Sequence, residues 1–243
     1  MREIWLDNLY ATSTGDGPAV ILLHGGLATH AACQPYVDAL ASRFTLITPD
    51  LRGSGRSHDA GPLSWDRLAD DVVALARRLG LARFAVGGVS MGSGVAVRVA
   101  LKYPAAVSAL IAIHPAFAGA DVGLTPAQAA AMQAMDAAGS RAPAEGVGVL
   151  LPLFDAMPPA IRERARAIIA DYDPASVAAT TRFMLEGGQP FERGTDLDAI
   201  DAPALVVPGI DPTHPAEFAE IYRRNIRRCT IGSIDQLAEF LAS

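Results

Sequence analysis

Ser90 lies at the centre of Gly88-Val89-Ser90-Met91-Gly92, which fits the pattern G-x-S-x-G. In this pattern a strand turns sharply into a helix and leaves the serine exposed on a strained backbone, where small neighbours relieve the crowding. The flanking sequence suits such a turn, since the apolar run RFAVGG precedes it and SGVAVRVALKY, with apolar residues at helical spacing, follows it. We predict a serine hydroxyl that attacks carbonyl carbon once a nearby base accepts its proton.

The elements that must position this serine alternate along the chain. A hairpin is predicted around Asn8, and the continuous apolar runs PAVILLHGG, FTLITPD, VSALIAIHP and APALVVPGID are typical of strands buried on both faces. Helical patterns such as SWDRLADDVVALARRLGL separate these runs and predict a mostly parallel sheet covered on both faces. Residues 119–190 are Ala-rich, helical in pattern and without a convincing strand. We therefore predict a helical cap over 119–190, inserted into a core formed by residues 1–118 and 191–243.

Composition argues against several classes of partner. The chain has 20 basic and 26 acidic residues, net charge −6, and no basic cluster with interleaved aromatics, so nucleic-acid binding is not expected. No apolar run approaches the roughly 20 residues of a membrane helix, and a basic-then-apolar leader is missing, so we expect a cytoplasmic protein that does not bind membranes. Cys33 and Cys229 have no ligand spacing, and neither a metal nor a cofactor is predicted. The oligomeric state stays open.

Four motifs occur in an order that resembles the α/β-hydrolase superfamily over nearly the whole chain: HGG at 24–26, PDLRGSGRS at 49–57, GVSMG at 88–92 and PGIDPTHP at 208–215. The resemblance implies an α/β-hydrolase fold, with a mostly parallel twisted sheet and helices on both faces. It implies Ser90 as the nucleophile, the backbone N–H groups of Gly26 and Met91 as oxyanion donors, and Asp211 as the acid that orients a histidine.

The histidine that the family usually places between the last strand and the last helix is missing. The last strand is predicted at CTI and the last helix at SIDQLAEFLA, and no histidine follows His214. In the family layout, Ser90, His114 and Asp211 would end three neighbouring strands, which lie about 4.8 Å apart, so we predict His114 as a replacement base. His214 is expected to be a helix-capping or loop residue, since it lies three residues from Asp211 and precedes Pro215.

A replacement base is not the sole way to account for the missing histidine. The triad could be damaged, leaving a binding or regulatory protein for small molecules, or the histidine loop could lie outside this sequence. His30 and His58 are expected to be polar loop residues near the pocket, and His24 to bond to the loop backbone.

The function predicted from these residues is hydrolysis of a small, apolar or weakly polar carboxylic ester, thioester or lactone by a serine-dependent enzyme with an atypical or incomplete triad. Within enzymes, a lyase or a cofactor-free haloperoxidase-like reaction is the second possibility. Four residues of the predicted cap could roof the pocket: Phe154, Met157, Phe183 and Met184.

Overall fold

An eight-stranded sheet forms the centre of the computed structural model, which describes residues 1–58, 61–155 and 159–243. Its strands are β1 (Arg2–Leu6), β2 (Leu9–Thr14), β3 (Ala19–Leu23), β4 (Thr45–Pro49), β5 (Phe84–Val89), β6 (Val107–Ile113), β7 (Ala204–Val207) and β8 (Cys229–Ile231). They lie in the order β1-β2-β4-β3-β5-β6-β7-β8. The pairs β1–β2 and β2–β4 are antiparallel, and the others are parallel. The predicted hairpin and the mostly parallel sheet are thus confirmed.

Helices cover both faces of this sheet. The α-helices of the described chain are, in order, α1 (Gln34–Leu40), α2 (Trp65–Arg78), α3 (Met91–Lys102), α4 (Pro126–Gly139), α5 (Ala142–Glu145), α6 (Pro159–Ile169), α7 (Pro174–Glu186), α8 (Phe218–Asn225) and α9 (Leu237–Ala242). Side chains of a strand alternate between its faces. In β6, Leu110 accordingly packs into the cluster that includes α2 and α3, whereas Ile111 packs into the cluster that includes α1 and α9. No helix in the described part of the chain is long and apolar enough to cross a membrane.

The helices α4 to α7 lie between β6 and β7, within residues 119–190, where the described residues form no strand. Together with the 3₁₀ turns at Val147–Phe154 they form a separate apolar cluster that includes Leu150, Ile169 and Val177. Leu27, in the loop after β3, packs against this cluster, and the Tyr172 hydroxyl donates to the Leu27 carbonyl at 2.6 Å. This helical segment therefore contacts the loop that carries the HGG motif.

The loop at 49–57 is fastened by buried polar contacts. The Asp50 carboxylate is fully buried and accepts hydrogen bonds from the His30 backbone and ring and from the Arg56 N–H, at 2.6, 2.8 and 2.8 Å. Burial raises the pKa of Asp50, but these hydrogen bonds outweigh it and hold that pKa below its usual value. Arg52 forms a two-pronged contact with Asp71 at 2.7 Å for each bond. Both arginines of the motif thus fasten the loop, since the Arg56 side chain pairs with the Glu3 carboxylate of β1.

Candidate active site

Ser90 occupies the junction between β5 and α3. Its backbone has φ 53° and ψ −116°, a left-handed conformation that is uncommon for a residue with a side chain. The Ser90 N–H donates to the Ile113 carbonyl at 3.0 Å, which fixes the junction to the end of β6. Ser90 remains partly exposed, so its hydroxyl is not sealed into the apolar core.

The glycines of the motif allow this junction to form. A Cβ atom at Gly88 would overlap the backbone of Gly92, and one at Gly92 would lie 2.5 Å from the His24 carbonyl oxygen. A Cβ at Gly25 would lie 3.5 Å from the Ser90 Cβ, which shows how closely the HGG loop approaches the serine. The HGG loop and the junction can pack this closely because side chains are missing at these positions.

We expect Gly92→Ala to lower the free energy of unfolding by about 2 to 3 kcal/mol, because backbone rather than a flexible side chain blocks the added methyl group. For a chain of this size the melting temperature should fall by roughly 4 to 12 °C. Thermal denaturation followed by circular dichroism measures the change. Gly148→Ala is the matched control, since its Cβ would meet no atom within 4 Å. Equal melting temperatures for the two variants would contradict the steric account.

His214 is the histidine that contacts the serine. The Nε2 atom of His214 lies 2.8 Å from Ser90 Oγ. Its Nδ1 atom lies 3.0 and 2.9 Å from the two carboxylate oxygens of Asp211. A proton on Nδ1 satisfies the carboxylate and leaves Nε2 free to accept the serine proton. Three groups of the types used in serine nucleophilic catalysis therefore form a connected chain of hydrogen bonds.

A single β-turn brings the acid and the imidazole together. The His214 N–H donates to the Asp211 carbonyl at 3.0 Å, which closes the turn formed by residues 211–214. Aspartate is favoured at the first position of such a turn and proline at the second, where Pro212 stands. The first and fourth residues of a turn come close in space, so their side chains can meet. His214 lies three residues after Asp211, and from this spacing we expected a capping or loop role for it. In the structure the same spacing pairs the His214 ring with the Asp211 carboxylate.

His114 forms no hydrogen bond with the serine among the described residues. It follows β6 with φ 47°, and its ring centroid lies 6.3 Å from that of His214. Within the described residues its ring has no hydrogen-bond partner, and the position beside Ser90 Oγ is taken by His214. The expectation that the end of β6 supplies the base assumed a side-chain direction that the strand order alone does not fix. On this geometry His214 replaces His114 as the candidate base. Burial, and secondarily the neighbouring His214, lower the pKa of His114.

The carboxylate of Asp211 is held in its ionised form. Burial would raise its pKa, but the Thr213 hydroxyl and His214 lower it more, and the pKa falls to about 2. Thr213 donates to the carboxylate through its hydroxyl at 2.6 Å and through its N–H at 2.8 Å. The Asp211 side chain is 45% exposed and that of His214 22% exposed, so the pair lies at the surface of the fold rather than in its core.

The predicted oxyanion donors belong to the two segments that meet at Ser90. Met91 is the first residue of α3, directly after Ser90, and Gly26 belongs to the loop that packs against Ser90 through Gly25. Within the described residues, neither amide donates to a protein acceptor. A Cβ at Gly26 would overlap the side chain of Met184. Both amides are thus without a protein acceptor in the part of the chain that the structure describes, and their role as oxyanion donors stays a prediction.

The other histidines have structural contacts. His24 is buried, with Nδ1 2.7 Å from the Gly25 carbonyl and Nε2 accepting the Leu51 N–H at 2.9 Å, as expected for a loop-fastening residue. Burial lowers the pKa of His24. The His58 carbonyl accepts the Ser176 hydroxyl at 2.7 Å. Neither of these rings contacts Ser90, and no group of three or more His, Cys, Asp or Glu side chains suited to a metal ion occurs in the described segments.

The residues expected to roof the pocket have different surroundings. Phe183 is buried against Trp65, with ring centroids 5.0 Å apart, and so belongs to the core. Phe154 packs against the apolar cluster of the helical segment, and Met184 lies over Gly26. Met157 lies outside the described residues.

The family model for the alpha/beta hydrolase fold matches residues 18–145, more than half of the chain. The chain belongs to the α/β-hydrolase family. The matched segment of this α/β hydrolase includes the Ser90 junction but ends before the Asp211–His214 turn.

Among curated proteins, the α/β hydrolase is 34% identical over 106 residues to a pimeloyl-(acyl-carrier protein) methyl ester esterase of Nitrosomonas europaea, a match that covers 44% of the chain and only 40% of that relative. Among solved structures, it is similar to a thermophilic esterase from Thermogutta terrifontis, with a TM-score of 0.76 and 28% identity, over 95% of the chain and 88% of the esterase. A hydrolase from Pseudomonas aeruginosa PA01 gives a TM-score of 0.79 at 21% identity, over 100% and 98% of the two chains, which supports the fold alone.

Proposed function

We propose that this α/β hydrolase cleaves small carboxylic esters, thioesters or lactones with Ser90 as nucleophile, His214 as general base and Asp211 as the orienting acid. The observation that carries the proposal is the contact of 2.8 Å between His214 Nε2 and Ser90 Oγ, with Asp211 bonded to the opposite ring nitrogen. A serine hydroxyl becomes an effective nucleophile when a base at hydrogen-bond distance accepts its proton. The named esterases among the similar proteins support the same reaction class.

In the first half of the reaction, Ser90 Oγ forms a bond to the substrate carbonyl carbon while its proton passes to His214 Nε2. The carbonyl oxygen becomes negative, and the N–H groups of Gly26 and Met91 donate to it. Asp211 stabilises the imidazolium that forms. When the tetrahedral intermediate collapses, the bond to the alcohol or thiol breaks and His214 returns the proton to that leaving group. The product of this half is an acyl ester on Ser90.

Hydrolysis of the acyl ester repeats these steps with water. His214 Nε2 takes a proton from the water, whose oxygen attacks the acyl carbon, and the same two amides stabilise the second oxyanion. The bond to Ser90 Oγ then breaks, the serine regains its proton from His214 and the carboxylic acid leaves. No cofactor is needed to balance either half.

An uncharged or weakly polar acyl group suits the surroundings of the serine. Met184 lies over Gly26, and the neighbouring Leu27 packs against the apolar cluster of the helical segment. Apolar groups of this kind contribute most when they remove apolar ligand surface from water. We propose that the helical segment at 119–190 acts as the cap that covers the acyl group.

The alternative of a small-molecule binding or regulatory protein rested on a missing base. Because His214 contacts Ser90, that reason no longer favours it.

Reaction with a fluorophosphonate probe, followed by intact mass, tests the proposal together with turnover of p-nitrophenyl acetate and butyrate. We expect one probe per wild-type chain, release of p-nitrophenol, and no adduct on Ser90→Ala. A folded wild-type protein that neither reacts with the probe nor hydrolyses either ester would overturn the proposal and favour the binding alternative.

A further inference from the structure

Gln128 is a buried polar residue that contacts the Asp211–His214 turn from a different part of the chain. It lies in the first turn of α4 and is 1% exposed. Its Nε2 atom donates to the Thr213 carbonyl at 3.0 Å and to the Ala116 carbonyl at 2.8 Å. The two N–H groups of the side-chain amide therefore donate to carbonyls in two separate loops.

Those two loops flank the candidate site. Ala116 lies two residues after His114 in the loop that follows β6, and Thr213 lies inside the turn that follows β7. The remaining polar atom of the side chain, Oε1, accepts the Thr125 N–H at 3.0 Å. The amide group thus has a partner for each N–H and for its oxygen, which fixes its orientation.

The turn itself lies at the surface. Asp211 and Pro212 are exposed, and the bonds within residues 211–214 hold the turn's shape without fixing its distance from Ser90. A buried side chain that donates to the turn from α4 restricts that distance. Breaking such a contact would leave the Thr213 carbonyl without this partner and would cost free energy, so the contact resists displacement of the turn.

We infer that Gln128 is a positioning residue that holds the Asp211–His214 turn at the distance from Ser90 needed for proton transfer, an inference that rests on the proposed function. The hydrogen bonds of the Gln128 side chain go to backbone groups and to neither Ser90 Oγ nor the His214 ring. It acts through the Thr213 backbone, one residue before the base. Displacement of a catalytic group by about 1 Å can lower turnover about 100-fold, so a loss of this contact should be measurable in kcat.

Gln128→Met tests the inference, since methionine has a similar length but no N–H donor. We expect kcat for p-nitrophenyl butyrate to fall about 10- to 100-fold while KM stays within about twofold, because the base rather than the acyl site is displaced. The ¹⁵N shift of His214 Nε2 should also change, since its contact with Ser90 Oγ is lengthened. Should Gln128→Met fail to fold, Gln128→Leu, which likewise lacks a side-chain N–H donor and buries no charge, provides the same comparison.

Thr125→Ala is the matched control. The Thr125 hydroxyl accepts the Gln128 backbone N–H at 3.2 Å and caps α4, so its removal destabilises the same helix while Gln128 Nε2 keeps both acceptors. If Thr125→Ala lowers kcat as much as Gln128→Met at a similar loss of melting temperature, helix stability rather than positioning explains the effect, and the inference is wrong.

The outcomes separate this inference from the proposed function. A wild-type enzyme that reacts with the probe and a Gln128→Met variant with unchanged kcat would overturn the role of Gln128 alone. An unreactive wild type would overturn the proposed function, and the His214 spectrum would still decide the positioning role. An Nε2 shift that is the same in wild type and Gln128→Met would then overturn it, whereas a changed shift would support it.

Discussion

Replacing His214 by alanine should lower kcat for p-nitrophenyl butyrate by about 10⁵- to 10⁶-fold, as removal of a triad base does in serine hydrolases. The imidazole contacts Ser90 Oγ at 2.8 Å, and no other histidine ring in the described residues contacts that oxygen. Without it the hydroxyl has no acceptor for its proton. A residual rate of about 10³ to 10⁴ over water is expected if the Gly26 and Met91 amides still stabilise the oxyanion.

His114→Ala provides the control for the His214 variant. Both residues are half-buried histidines at the same edge of the sheet, but in the described residues only His214 forms a hydrogen bond with the serine. We expect kcat of His114→Ala to stay within about fivefold of wild type, with probe reactivity retained. A severe loss in His114→Ala together with an active His214→Ala would reverse the assignment. Melting temperatures of both variants establish that the loss is not unfolding.

Asp211→Asn should lower kcat by about 10² to 10⁴-fold, with little change in KM. An asparagine amide can donate to His214 Nδ1, which favours the ring form that has its proton on Nε2 and cannot accept from Ser90. It also removes the negative charge that stabilises the imidazolium. The exposure of the Asp211 carboxylate places the expected loss below that of the His214 variant.

The pH dependence of the wild type follows from the low pKa of Asp211. With a pKa of about 2, the Asp211 carboxylate stays ionised throughout the range in which esterases are assayed, so protonation of Asp211 should not contribute to the pH dependence of kcat/KM in that range. Because the folded pKa lies below the unfolded one, the stabilisation by Asp211 is present above about pH 4 and is lost as the pH falls towards 2.

The control for Asp211→Asn is Asp201→Asn, which changes an exposed aspartate at the opposite end of β7. Its kcat should match that of wild type. Rates of wild type, Asp211→Asn and Asp201→Asn measured from pH 4 to 9 test both the expected pH dependence and the expected changes in kcat. An Asp211→Asn variant within threefold of wild type at every pH would show that His214 needs no carboxylate partner.

The fold and the serine junction were accessible from the sequence because local patterns determine them. Buried parallel strands appear as continuous apolar runs, and the glycines around Ser90 mark a junction where a Cβ would overlap backbone. The base was not accessible in the same way. Strand order placed His114 near Ser90, but the direction of its ring depends on a left-handed backbone at 114 that no periodicity predicts.

The signal that could have identified His214 was turn chemistry. Asp-Pro at the first two positions of a β-turn predicts that the side chains of Asp211 and His214 approach each other, whatever the family layout places after β8. The contact of Gln128 with Thr213 joins residues 85 positions apart, and the local sequence at either position does not predict it.

Because one turn supplies both Asp211 and His214, a movement of that turn would carry the two groups together. A rearrangement that moved the turn away from Ser90 would break the contact between His214 Nε2 and Ser90 Oγ but would leave the Asp211 carboxylate hydrogen-bonded to the His214 imidazole. An inactive form produced in this way would differ from the active form in the distance between His214 Nε2 and Ser90 Oγ. The contact between Asp211 and His214 would be the same in both forms, so inactivation would not require it to break.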